Sequence, residues 1–176
     1  MTLSTEPYSS RSLPRTLTAG GSLSLAIGAL VVVLDQITKH WATLTLNADP
    51  SSGPSILGGW LALVYTTNTG AAFGVLADRG ILFFIIGIVV LGVVIAYWRF
   101  LPNHRPLLRI SLGLQLGGAT GNLIDRVRIG YVVDFIQVKD WPVFNVADSA
   151  IVCGVALLMY YLACGPSATS RRLLTH

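Results

Sequence analysis

The sequence predicts an all-α membrane protein of four transmembrane helices carrying a small extracytoplasmic β-sheet cradle. Three observations predict it. Charged residues make up 11% of the 176 and hydrophobic residues 53%, whereas a soluble domain carries roughly 25% charged residues, so charge cannot wet this surface. The apolar residues fall into four charge-free stretches of membrane-spanning length. Between those stretches, two segments are rich in the β-branched and aromatic residues that favour strands. The mean hydropathy of +0.67 excludes a disordered chain, and two cysteines exclude a disulfide scaffold. A net charge of +4 is too small to argue for nucleic acid, and none is expected as a partner.

The charge-free stretches are Thr16 to Leu34, Gly80 to Trp98, Ile110 to Ile124 and Ser149 to Ser170. A spanning helix needs about 20 apolar residues, in a range of about 17–25. The third stretch is short, but its apolar run begins at Leu107, so Arg109 need only snorkel to the interface. The first resembles a signal peptide, with Arg11 and Arg15 ahead of an apolar run. It ends in Asp35-Gln36-Ile37-Thr38-Lys39-His40 with no small-x-small cleavage site, which predicts an uncleaved helix. Residues 1–21, rich in Ser, Thr, Pro and Gly, read as a disordered cytoplasmic tail. Residues 22–164 form the four-span domain, and residues 165–176 a second cytoplasmic tail.

Orientation follows from the basic residues flanking the spans. With the N-terminus cytoplasmic, Arg11, Arg15, Arg99, Arg105, Arg109, Arg171 and Arg172 lie inside, against Lys39, Arg79, Arg126, Arg128 and Lys139 outside. Of the acids only Glu6 lies inside. Asp35, Asp49, Asp78, Asp125, Asp134, Asp140 and Asp148 gather at the outer face, which is therefore the chemical one. On that face Leu61 to Thr66 and Tyr131 to Val138 read as two strands, and Phe100 to Pro106 is a tight inner loop. Trp41, Trp60, Trp98 and Trp141 sit at span ends or in outer segments, as an aromatic belt would place them.

Gly113, Gly117 and Gly121 recur every fourth residue in the third span, a face that lets another helix approach closely. Gln115, Asn122 and Asp125 on neighbouring faces should point into the bundle, because polar groups facing lipid are costly. Cys153 and Cys164, about three turns apart on one helix, cannot bond to each other. His40, His104 and His176 lie on different segments, so no metal site is expected.

Polar residues converge at one depth: Asp35 and Lys39 at the outer end of span one, Asn68 in the first outer segment, Asn122, Asp125 and Arg126 at the outer end of span three, Asp134 in the second strand, and Asn145 and Asp148 at the start of span four. Each has a plainer reading. Asp35 and Lys39 are an i,i+4 pair that supports a helix. Asp125 tethers its neighbour Arg126. Asn145 caps span four, with Asp148 favoured three residues on by the positive helix end. Asp134 is hardest to explain away, because it interrupts an apolar strand with no basic neighbour; its plain role is a strand residue facing water.

Five stretches, Asp35 to Lys39, Asn68 to Phe73, Gly117 to Arg126, Val132 to Ile136 and Phe144 to Ser149, closely resemble the signature blocks of the lipoprotein signal peptidase (signal peptidase II) family, in the family's order. The resemblance implies an aspartic endopeptidase of the bacterial inner membrane that removes the signal peptide of prolipoproteins, cutting before the diacylglyceryl-modified cysteine. It implies Asp134 and Asp148 as the catalytic pair. It carries Asn68, Asn122, Arg126 and Asn145 over as substrate-binding or dyad-ordering residues, and Asp35, Lys39 and Asp125 as support. It also implies a short interfacial helix. The partners it implies are lipidated prolipoproteins and membrane lipid, with the chain acting as a monomer.

The chemistry agrees with the residues. Two close carboxylates share one proton, so one serves as base and the other as acid, and neither metal nor cofactor is required. The competing class is a proton- or ion-coupled transporter subunit, since intramembrane carboxylates mark such pathways. Against it, there is no evident inverted repeat. A membrane assembly protein without chemistry accounts for the glycine face but not for the five blocks.

Overall fold

The computed structural model describes residues 19–47, 49, 53–69, 80–100 and 105–164. Residues 1–18 of the first expected tail, all of the second, the inner loop's 101–104 and residues 70–73 of the Asn68 to Phe73 block lie outside the described residues, while residues 19–21 of the first expected tail are the start of α1. Among these residues are four α-helices and three strands: α1 (Ala19–Leu46), β1 (Ser55–Ile56), β2 (Leu61–Asn68), α2 (Gly80–Phe100), α3 (Pro106–Ile129), β3 (Val132–Val138) and α4 (Val146–Cys164). Among the described residues the only further helix is a one-turn 3₁₀ segment, Leu57–Gly59.

Helix α1 extends well past the charge-free stretch that ended at Leu34, and past Trp41, where the outer segment was expected to begin. It continues to Leu46, so at 1.5 Å per residue its 28 residues reach about 42 Å, longer than a hydrocarbon core of about 30 Å. No Gly or Pro interrupts residues 29–46, and the hydroxyls of Thr38, Thr43 and Thr45 donate back to carbonyls one turn earlier, so each hydroxyl is satisfied within the helix. Asp35 and Lys39 therefore lie within the helix, not at its end.

Helix α3 is the centre of the bundle, packing against α1, α2 and α4. Pro106 opens it, and Gly130 closes it in the left-handed conformation at φ 83°, with its N–H donating to the Arg126 carbonyl. The expected glycine face is the α1 contact. A Cβ at Gly117 would stand 2.6 Å from the Gly28 carbonyl, and one at Gly113 would stand 2.8 Å from the Ser24 carbonyl. Gly118 meets the Ala147 carbonyl of α4 in the same way. Hydroxyls stitch these close faces: Ser24 donates to the Arg109 carbonyl at 2.9 Å and Ser111 to the Gly154 carbonyl at 2.8 Å.

Two helices among the described residues are long and apolar enough to cross a membrane, α1 from Gly21 and α4. In α3, Gln115, Asn122, Asp125 and Arg126 dilute the apolar run; these residues serve the interior of the bundle.

The expected pair of strands is a three-stranded antiparallel sheet, ordered β1-β2-β3. Leu61, Ala62 and Leu63 face Val138, Gln137 and Ile136, but Thr66, Thr67 and Asn68 face Asp134, Val133 and Val132. One extra residue on β2 has been absorbed as a bulge between Leu63 and Thr66. Because side chains alternate faces, that slip moves Asn68 onto the face that carries Asp134. The sheet is held against α1 and α4 by Ala42, Leu46 and Phe135, with Leu63, Tyr65, Ile136 and Val146 packed around them. Strand β3 is thereby pinned beside the start of α4.

Candidate active site

Helix α4 begins at Val146, and its free N–H groups are taken up by side chains. Asn145 Oδ1 accepts from the Asp148 amide at 2.9 Å, and Asp148 Oδ2 accepts from the Asn145 amide at 3.3 Å, the reciprocal arrangement of a capping box. The next free amide, Ala147, donates to Asp35 Oδ1 at 3.0 Å. Asn145 is thus the cap that its position suggests, but capping does not exhaust it. Its Nδ2 donates to Asp134 Oδ1 at 2.7 Å and to Asn122 Oδ1 at 3.1 Å.

Asp134 is 1% exposed, which overturns its reading as a strand residue facing water. Asn68 Nδ2 donates to its second oxygen at 2.9 Å, a diagonal cross-strand contact made available by the β2 bulge. Burial pushes the Asp134 carboxyl up to about 6. The charge of Asp148 adds to the rise, while the Asn68 and Asn145 hydrogen bonds and the Lys39 charge oppose it. Asp148, half-buried, receives Asn122 Nδ2 at 2.7 Å. One buried residue, Asn145, therefore contacts both carboxyl groups. Arg126 donates to the Asn122 carbonyl at 3.3 Å, with its guanidinium in electrostatic reach of Asp148 and Asp134.

Behind this pair lies a cluster of buried charges. Lys39 Nζ is 2.9 Å from Asp35 Oδ2, 2.9 Å from Asp125 Oδ2 and 2.9 Å from Asn122 Oδ1. Asp125 is consequently not the tether of Arg126. It is a partner of Lys39, and it also accepts from Gln36 at 2.9 Å and from the Val133 amide at 3.2 Å. Lys39 spends its three protons on two carboxylates and on the Asn122 oxygen, which leaves Asn122 Nδ2 directed at Asp148. Asp125, through Val133, fixes the strand that carries Asp134.

All nine residues singled out in the sequence are thus brought into one connected network by α1, β2, α3, β3 and α4. Gln36 is the member to which the sequence assigned no role; its only signal was its place between Asp35 and Lys39. The arrangement presents two adjacent carboxyl groups, one deeply buried and one partly open, with amide donors on every carboxyl oxygen. Such a pair can hold one proton between them and act on a peptide bond as acid and base.

Comparison with known proteins agrees with this chemistry. Residues 27–164 match the family described as signal peptidase (SPase) II. A lipoprotein signal peptidase of Moorella thermoacetica is 46% identical over 138 residues, 78% of this chain and 91% of that protein. One of Caulobacter vibrioides is 44% identical over 153 residues, 82% of this chain and 88% of that protein. A bacterial membrane enzyme solved by the in meso method at 1.9 Å superposes with a TM-score of 0.73 at 33% identity, covering 80% of this chain and 92% of that one. With most of its length matched by fold, family and sequence at once, this chain belongs to the signal peptidase II family.

Proposed function

We propose that Asp134 and Asp148 are the catalytic pair with which this membrane aspartic endopeptidase removes the signal peptide from prolipoproteins, cutting before the lipidated cysteine. The observation that carries the reading is Asn145, which holds both carboxyl groups from a single buried side chain and backbone. Asp134, deeply buried, holds the shared proton. Asp148, in the first turn of α4, is the base of the pair. Asp148 takes a proton from water as the water oxygen bonds to the scissile carbonyl carbon, and Asp134 gives its proton to the carbonyl oxygen. In collapse, Asp148 passes its proton to the leaving nitrogen, the C–N bond breaks, and a hydroxyl proton of the tetrahedral intermediate returns to Asp134. Asn68 and Asn122 order the pair, and Arg126 is placed to hold the substrate backbone. Asp35, Lys39 and Asp125 support them.

The same reading makes α1, α2, α3 and α4 four spans of the bacterial inner membrane, with cytoplasmic tails at 1–18 and 165–176 and the site at the extracytoplasmic face. The substrate's lipid chains remain in the bilayer, so its reacting bond arrives at a nearly fixed depth. The enzyme works as a monomer, without metal or cofactor. The test is cleavage of a lipidated prolipoprotein by purified Asp134→Asn and Asp148→Asn variants. Each loses general acid–base catalysis at nearly constant volume, a factor of about 10² to 10⁴ or more, while its membrane insertion is unchanged. Substantial activity in either variant would sink the assignment.

A further inference from the structure

Beside the catalytic network, between the last turns of α1, the end of α3 and the sheet, lies a cavity of about 170 Å³. At about 30 Å³ per water, it has room for a polar group several waters in size. Asp134, Asp148 and Asn145 are not among its lining residues, and the peptidase chemistry gives it no use. Its floor is Lys39, Asp125 and Val133, all buried; its rim is His40, Arg128 and Ile129, all exposed.

Floor and rim carry opposite charge. Lys39 is one cation against two carboxylates, Asp35 and Asp125, so the floor keeps a surplus of negative charge. Asp125 accepts from Lys39, from Gln36 and from the Val133 amide, whereas a carboxylate offers about four lone-pair sites. One is left for a donor in the cavity. At the rim, Arg128 has no ion pair among the described residues; its guanidinium donates to the neutral Gln36 Oε1 at 3.3 Å, which leaves N–H donors for an anion. Between floor and rim, Tyr65 and Tyr131 are hydrogen-bonded to each other. That bond uses one of their two hydrogens, so the pair still offers a donor and acceptor sites.

Below the rim the surface is apolar. His40 shares one face of α1 with Val33, Ile37 and Leu44, at the i, i+4, i+7 and i+11 spacing of a helical stripe, and those three are 53%, 61% and 70% exposed. In the four-span reading, on which this inference rests, Ile37 and Val33 lie about one and two turns from His40 toward the bilayer centre. A polar head seated in the cavity therefore has an apolar track beneath it for its chains.

We propose that this cavity is a phospholipid site selective for phosphatidylethanolamine. The primary ammonium donates to Asp125 and to the tyrosine oxygens, the phosphate takes Arg128 and His40, and the acyl chains run along Ile37 and Val33. Phosphatidylcholine fails at the floor, because its quaternary ammonium has no N–H to donate. Phosphatidylglycerol fails there too, because it brings no cation to the surplus carboxylate.

The test uses the full chain purified in detergent and offered an equimolar mixture of phosphatidylethanolamine, phosphatidylcholine and phosphatidylglycerol with identical acyl chains, retained lipid being counted by native mass spectrometry. One phosphatidylethanolamine per chain should be kept in preference to either competitor. Arg128→Gln should lower that retention by about tenfold, the loss of a charge-assisted hydrogen bond, and Tyr131→Phe should lower it as well, while Gly92→Ala on α2 leaves it unchanged. Equal retention of the three lipids would mean that only the apolar stripe holds them. A preference for phosphatidylglycerol, or displacement of phosphatidylethanolamine by inorganic phosphate, would mean a plain anion site, and selectivity intact in both pocket variants would put the lipid elsewhere. Each of these results overturns the proposal. Asp134→Asn should keep the lipid selectivity while losing cleavage, so a chain that cleaves without selecting the lipid defeats the lipid site alone, and a chain that selects the lipid but does not cleave defeats the peptidase assignment alone.

Discussion

Asp134 and Lys39 are both buried ionisable residues, and they differ in what surrounds the charge. Lys39 meets two carboxylates; Asp134 meets two amides and, among the described residues, no direct counter-ion. Its carboxyl is accordingly held near 6 instead of the ordinary 3.8, chiefly by burial. The folded state then binds this proton more tightly than the unfolded state does. The resulting stability is full below about 3.8 and is lost as pH rises to about 6, a change of about 3 kcal/mol. Asp134→Asn removes that dependence. Unfolding in detergent at several pH values should find the variant gaining on the parent by about 2 kcal/mol between pH 4 and pH 7, and a constant difference would contradict the burial argument. The same proton governs catalysis: kcat/KM should fall on the alkaline side as the pair loses its shared proton, and on the acid side when both carboxyls are protonated, with limbs that belong to the pair.

At the scale of elements, α3 is the piece on which the others are assembled, and its glycines set how closely. Gly117→Ala puts a Cβ against backbone, 2.6 Å from the Gly28 carbonyl, whereas a Cβ at Gly92 of α2 meets nothing within 4 Å. Overpacking of the first kind costs about 1–3 kcal/mol, so Gly117→Ala should lower the unfolding temperature in detergent. Gly92→Ala should leave it unchanged or raise it, since alanine loses less backbone freedom on folding. Equal effects would mean that the α1–α3 contact is not the tight one. The glycine spacing and the polar residues of α3 were legible in the sequence because helical periodicity is local. The length of α1 was not. Charge counting stopped at Asp35, and only the pairing of Asp35 with Lys39 and the Ala147 amide makes those charges compatible with a buried helix.

For the whole molecule the testable consequence is sidedness. With seven basic residues assigned to one side and the site to the other, a reporter fused after Arg172 should read cytoplasmic, and one inserted at Ser52 extracytoplasmic. The reverse pair of readings would put the site on the wrong side of the membrane. That expectation rests on the alternation of apolar and charged stretches over the whole chain and needs no fold.

What the sequence determined by itself is the list of participants. Membrane burial is so costly for charge that Asp35, Lys39, Asn122, Asp125, Asp134, Asn145 and Asp148 stand out against apolar neighbours, and their order in five blocks names the family. What only the tertiary structure decided is who touches whom. Asp125 sits next to Arg126 in sequence yet pairs with Lys39, 86 positions away. Asn68 reaches Asp134 only because β2 absorbs one extra residue, and Asn145 joins both carboxyl groups because β3 and the start of α4 meet over Phe135 and Val146. Composition records the cost of placing a polar group in an apolar segment, whereas the partner that offsets that cost is chosen by packing between elements distant in the chain.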